Sequence, residues 1–256
     1  MLANSESNPV DAAASGHGGH ASESGRTPGK LALVMGGGGA RAAYQVGFLR
    51  CVARRFPTLR IPIITGVSAG AINAALLASH QGSFEEAVAE LQGLWADLSV
   101  DRVFRTDLPS LARNVLRWGL QLVSGGMTSG SRLRSLVDTV PLRDLLGQAL
   151  QNVGGELTGI QPNLDRGRLD AVALTTTSYA TGRSITWVQG ANVRPWTYPF
   201  RQAQPTRITV DHVMASAALP LFFPAIRIGN EYHGDGGIRQ TAPLSPAFTW
   251  APGESW

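Results

Sequence analysis

The sequence predicts an α/β fold organised on a parallel sheet, and three observations carry that prediction. Continuous apolar runs of strand length recur at Leu31–Met35 and Ile61–Thr65, and each is cut off by a glycine turn and followed by a helical apolar stripe. The order strand, helix, strand, helix is that of parallel strands joined by crossover helices. The chain has 256 residues, 43% hydrophobic and 16% charged, which suits one domain with a sizeable core, while its 30 glycines call for many tight turns or a glycine-built site.

Taken in order, residues 1–29 are rich in Ser, Gly, Ala and Asn and hold almost no large apolar side chain, so they are expected to form a disordered tail. His17 and His20 in that tail are two isolated histidines, too few for a metal site. Order begins at Lys30 with the first strand. After Gly36–Gly39, the residues Ala42, Ala43, Val46, Phe48, Leu49 and Val52 form the stripe of a helix that Pro57 stops, and Cys51 within it reads as a buried core thiol. The second strand leads into Gly66-Val67-Ser68-Ala69-Gly70 and an apolar helix through Leu77, and Phe84–Leu98 is again helical.

Leu111–Val123 is a basic amphipathic helix, with Arg113 and Arg117 among Leu111, Val115, Leu116 and Trp118, and its pattern fits a helix lying on a core with its arginines in water. Gly125–Gly130 is a flexible joint. Leu133, Leu136, Val137 and Val140 recur at helical spacing before Pro141 opens a short helix. Residues 151–168, polar and glycine-rich, are expected to be a mobile excursion. Two hairpins follow: Ala171–Thr177 with Ser184–Val188 around Thr181-Gly182, and Ala225–Ile228 with Glu231–His233 around Gly229-Asn230. There are no internal repeats.

The formal charge of +4 and pI near 9.8 come almost wholly from arginine, since Lys30 is the only lysine. Arginine suits phosphate, so this surface fits an anionic membrane or a phosphate-bearing substrate as well as an ordinary soluble protein. No arginine-rich block interleaved with aromatics points to nucleic acid. The start of the chain lacks a charged segment followed by an apolar one, and no run reaches the roughly 18 apolar residues of a membrane span. The expectation is a cytoplasmic protein that touches membranes peripherally.

Three constellations carry chemistry. Gly66-Val67-Ser68-Ala69-Gly70 matches the nucleophile elbow, in which a serine on a strained strand-to-helix turn exposes its hydroxyl above a helix N-terminus that stabilises nearby negative charge. Gly36-Gly37-Gly38-Gly39-Ala40-Arg41 ends the first strand and offers unhindered backbone N–H groups to an oxyanion. A dinucleotide-binding turn would need glycine where Ala42 stands and an acidic residue about 20 positions on after a second strand, and neither is found. Gly234-Asp235-Gly236-Gly237 sets an uncrowded carboxylate after a hairpin strand, where it can serve as base to Ser68 in a dry pocket or be a plain Asp-Gly turn.

These three elements, in this order, resemble the patatin-like phospholipase family, and the resemblance runs from about Leu31 to Pro246. It extends through Leu136–Leu142, Thr181-Gly182-Arg183 and Ala215-Ser216-Ala217-Ala218-Leu219-Pro220. It implies a three-layer α/β/α fold with a mainly parallel central sheet over residues 30–256, and a serine acyl hydrolase acting on lipid esters or phospholipids without metal or cofactor. By it, Ser68 is the nucleophile, Asp235 the proton acceptor, and Gly37, Gly38 and Gly39 line the oxyanion hole. Gly36, Arg41, Gly66, Gly70, Gly236 and Gly237 support those motifs, Arg41 near lipid phosphate. The sequence departs from the family at Ala42, where glycine is usual after the arginine, and in its short, dissimilar segment after Asp235, which reads as an incomplete C-terminal part.

Two other readings compete. A Ser-acid-His triad expects its histidine last, but none follows Asp235, which leaves His233 with Asp170 or Asp211 as the alternative partners. A catalytically silent lipid-binding or regulatory protein is the other. Phe222, Phe223, Pro224 and Leu111–Val123 are candidates for an acyl-chain channel or lid, or for buried core.

Overall fold

A computed structural model of the chain describes residues 30–99, 103, 137–191, 193–245 and 247. The expected tail, the basic helix at 111–123, the joint at 125–130 and the stripe positions Leu133 and Leu136 lie outside the described residues.

Strand β1 (Ala32–Met35) ends at the glycine cluster, and α1 (Arg41–Arg55) stops one residue before Pro57, whose ring disfavours helical backbone at Phe56. Strand β2 (Ile63–Val67) is buried at every position, and α2 (Ala69–Ser79) follows with Ser68 as its N-cap residue. Helix α3 (Phe84–Ala96) begins with a capping box in which Ser83 and Glu86 satisfy each other's backbone N–H. Helix α4 (Val140–Ala149) opens on Pro141, whose missing N–H costs nothing in a first turn.

Next come a two-stranded hairpin of β3 (Asn152–Val153) and β4 (Glu156–Leu157), and α5 (Ile160–Asp165). Strand β5 (Ala171–Ser178) is buried along all eight residues, and β6 (Ser184–Gly190), β7 (Trp196–Tyr198) and β8 (Arg201–Pro205) follow it. Helix α6 (Val210–Ser216), capped by Thr209, leads to β9 (Ile226–Ile228), β10 (Glu231–Asp235) and a single 3-10 turn at Gly236–Ile238.

The α/β class expected from the sequence holds, and the sheet is mixed. It runs β1-β2-β5-β6-β8-β7; β1, β2 and β5 are parallel, as are β6 and β8, whereas β5 pairs antiparallel with β6 and with β10. Parallel pairing at β1, β2 and β5 follows the crossovers through α1 and α2, and short turns make β5–β6, β7–β8 and β9–β10 antiparallel. All six helices of the described residues contribute to one apolar cluster against the sheet, which includes the buried Leu76, Leu91, Leu146, Leu174 and Val213. A smaller cluster of Ala171, Ala173, Val188 and Ala203 lies apart from it under Val193 and Trp196.

Three local expectations are corrected. Cys51 is exposed, and so are Phe48 and Tyr44, because α1 turns Ala42, Val46, Leu49 and Ala53 inward instead. Residues 151–168 form β3, β4 and α5 and bury Leu157, Ile160 and Leu164. Three apolar residues spread over a polar stretch suffice when each one lands on the core. The second strand starts two residues later than expected, at Ile63. Among the described residues, no helix is long and apolar enough to cross a membrane.

Candidate active site

The register around β5 brings distant chain segments to one point. On the edge of β5 that β6 leaves free, β2 pairs from Ala171 to Thr175 and β10 takes over from Thr176 to Ser178. Val67 at the end of β2 faces Thr175, and Asp235 at the end of β10 faces Thr176. Two strands running in opposite senses therefore finish head to head, and Ser68 arrives beside Asp235.

The Ser68 hydroxyl donates to Asp235 Oδ2 at 2.6 Å, and the Gly237 N–H donates to the other carboxylate oxygen at 2.6 Å. Asp235 is 4% exposed, and this burial raises its carboxyl above the ordinary carboxylate range, against the lowering effect of those two hydrogen bonds. A raised carboxylate is a stronger base, which suits proton abstraction from a hydroxyl in contact with it.

Ser68 has φ 56°, a backbone strained for a residue with a side chain, and the elbow is held in that state from several sides. A Cβ at Gly66 would lie 2.6 Å from both the Ala74 Cβ and the Gly70 carbonyl oxygen, so only glycine lets α2 pack this close to β2. Gly70 is pressed likewise against the Met35 and Gly36 carbonyls. The Ser68 N–H donates to Ser216 Oγ at 3.0 Å, and Ser216 Oγ donates to the Thr175 carbonyl at 2.7 Å. Ser216 is fully buried at the end of α6 and fastens the elbow to the central strand. Its segment was noticed in the sequence, but no role was attached to it; the only signal is a lone hydroxyl in a run of alanines.

The glycine cluster divides its labour. The Gly37 N–H already donates to the Thr241 carbonyl at 3.0 Å, and what Gly37 contributes is proximity: a Cβ there would sit 3.1 Å from the Ser68 Cβ. Gly38 and Gly39 have φ of 140° and 55°, and their N–H groups have no hydrogen-bond acceptor among the described residues. Ala69, in the first turn of α2, also has an N–H without an intrahelical acceptor. Gln45 donates to the Gly36 carbonyl at 2.9 Å, Arg41 begins α1 on the exposed surface with its side chain against Gly38, and Asn73 ties the Ala42 carbonyl to Trp95.

Ser68 and Asp235 stand in the wall of a cavity of about 850 Å³, lined otherwise by apolar groups that include Ile72, Leu94, Trp95, Leu142 and Leu145. Phe223 lines it too, whereas Phe222 is a half-exposed neighbour outside the lining. His233 is buried elsewhere, with Nδ1 3.2 Å from Thr176 Oγ1 and its ring against Trp187. Asp170 and Asp211 are paired with Lys30 and Arg143. The Ser-acid-His alternative therefore finds no support in the geometry. A half-buried serine in contact with a buried carboxylate, facing an apolar cavity beside N–H groups without an acceptor among the described residues, can exchange a proton and hold a developing oxyanion.

A profile of the family described as Patatin-like phospholipase matches residues 33–248 of the chain. Patatin-like phospholipase domain-containing protein 7 of Rattus norvegicus is 32% identical over 110 residues, a stretch amounting to 43% of this chain and 7% of that protein. The chain thus spans a small fraction of the curated relative it matches. Among solved structures, VipD from Legionella pneumophila aligns at a TM-score of 0.44 and 16% identity, over 83% of this chain and 47% of that one. Human GIVD cytosolic phospholipase A2 in complex with methyl gamma-linolenyl fluorophosphonate and terbium chloride aligns at 0.36 and 17%, over 61% of this chain and 22% of that one.

Proposed function

The chain belongs to the patatin-like phospholipase family, and from that premise we propose that it is a serine acyl hydrolase that releases fatty acids from lipid esters through Ser68 and Asp235. The observation that carries the reading is the 2.6 Å hydrogen bond between these two side chains at an apolar cavity. Ser68 Oγ attacks the ester carbonyl carbon as its proton passes to Asp235 Oδ2. The Gly38 and Gly39 N–H groups, with the N-terminus of α2, receive the charge that develops on the carbonyl oxygen. Collapse of the tetrahedral intermediate breaks the ester bond, and the departing alcohol takes the proton from Asp235. Water, giving its proton to the same carboxylate, then attacks the acyl-enzyme, and the acyl–Oγ bond breaks as Asp235 returns that proton to Ser68 Oγ and the fatty acid is freed.

The cavity lining suits an acyl chain. Leu219 and Ile238 line it while remaining half-exposed, so its mouth presents apolar side chains to a lipid surface and favours peripheral membrane contact. Arg41 at the start of α1 is close enough to the glycine cluster to favour a phosphate-bearing substrate.

The test is hydrolysis of short p-nitrophenyl esters together with fluorophosphonate labelling, comparing wild type with Ser68→Ala and Asp235→Asn. We expect covalent label on the peptide carrying Ser68, and a fall in kcat/KM of at least ~10³-fold in each variant with an unchanged far-UV spectrum. Equal rates in wild type and Ser68→Ala would sink the proposal. Lipid binding without turnover in any of the three would mark the chain as a binding protein.

A further inference from the structure

A second cavity, of about 660 Å³, opens away from Ser68 at the other end of α2, between the loop before β2, the start of α3 and the turn after α5. Its lining combines apolar side chains, among them Ile64, Leu77, Phe84 and Leu169, with three arginines, Arg60, Arg166 and Arg168. We infer that this cavity binds a single-chain amphiphile with an anionic oxygen head, the chain on the apolar lining and the head on the arginines.

The charge arrangement carries the inference. Each arginine is held by a neutral acceptor: Arg60 Nη2 donates to the Gly167 carbonyl, Arg166 Nη1 to Gln81 Oε1 at 2.7 Å, and Arg168 Nη1 to the Gln81 carbonyl at 2.6 Å. These bonds fix the guanidinium groups without cancelling their charge, and each group has further N–H donors to offer. Among the described residues, none of the three makes an ion pair; Glu90 is paired with His80 and Asp170 with Lys30, while Glu86 and Asp165 bond the Ser83 cap and Gln161 and not an arginine. Three oriented guanidinium groups on one cavity, none in an ion pair, match a carboxylate or phosphate. The apolar lining excludes a bare inorganic anion as the best fit, because such an ion leaves that surface in water. Asn163, 4% exposed, also lines the cavity, and its Oδ1 is buried without a partner.

This site stands whether or not Ser68 turns over, and its test separates the two cavities. The full chain is irradiated with dodecanoic acid carrying a terminal diazirine, and the labelled peptides are mapped. We expect saturable labelling in Leu77–Ala87 and Arg166–Leu169, displaced by dodecanoate or dodecyl phosphate, the tighter of the two identifying the head group. Dodecanol should compete at least about tenfold more weakly. The double variant Arg166→Gln, Arg168→Gln should weaken labelling at least about tenfold, and the corresponding double Lys variant should retain most of it, with matched thermal melts guarding against misfolding. Labelling confined to peptides around Ser68, Leu94 and Leu142, equal competition by dodecanol or by inorganic phosphate, or undiminished labelling in a folded Gln variant would each overturn the inference.

Discussion

Ser216 does not itself line the cavity, yet the Ser68 N–H and the Thr175 carbonyl both depend on its hydroxyl. Ser216→Ala removes the buried hydroxyl that serves both the Ser68 N–H and the Thr175 carbonyl, so it should cost about 1–3 kcal/mol in denaturant melts. Because the elbow then loses its tether, kcat toward a p-nitrophenyl ester should fall about tenfold while KM holds, the signature of a positioning residue. An unchanged kcat would reduce Ser216 to a structural role. The contrast with Ser68 and Asp235 explains what a sequence reveals at this scale. Their motifs are legible because a nucleophile turn and a carboxylate between glycines are local patterns. Ser216 acts across 148 positions, and Gly37, identical in sequence to its neighbours, is set apart only by the carbonyl of Thr241.

Two glycines in helical packing make opposite predictions. Gly66 lies in β2 against α2 with no space for a Cβ, so Gly66→Ala should destabilise by about 1–3 kcal/mol, whereas Gly93, exposed within α3, has nothing within 4 Å, and Gly93→Ala should stabilise by about 0.5–1 kcal/mol. Paired urea melts check both signs. Elements with one clear apolar face or run were legible, including α2, α3 and the hairpin of β5 and β6. Helix α1 was read one face too wide, since Tyr44, Phe48 and Cys51 repeat at the same spacing as Val46, Leu49 and Ala53 and only packing decides which stripe goes inward. Strands β7 and β8 went unpredicted, as their polar, proline-flanked sequences become strands only by adding to the edge that β6 offers.

For the whole molecule, acid stability turns on a buried histidine. His212 packs its ring against Trp187, takes the Thr209 N–H on Nδ1, and has a buried Nε2 without a partner; burial lowers its pKa to about 4, with the charge of Asp211 opposing and His233 reinforcing the shift. The unfolded chain binds the proton near the ordinary value of about 6.5, so stability present above that pH is lost as pH falls towards 4, by about 3 kcal/mol over the window. Asp235 works in the opposite sense, since a carboxyl raised by folding gains stability as it protonates. Thermal melts between pH 7 and pH 4 should show this slope, flattened in His212→Gln; equal slopes would remove His212 as its source. The α/β class was legible at this scale because crossover helices leave a repeating pattern, while the mixed edge of the sheet depends on which strand ends meet. That meeting has a consequence for how the chain is made. The hydroxyl and the carboxylate come from positions 167 apart, and their pairing exists only once β10 has closed on β5. A ribosome-bound or half-collapsed chain can hold the serine, the glycine cluster and much of the greasy cavity while the carboxylate is still absent, so under the dyad proposed above a partly made copy has no turnover until β10 docks.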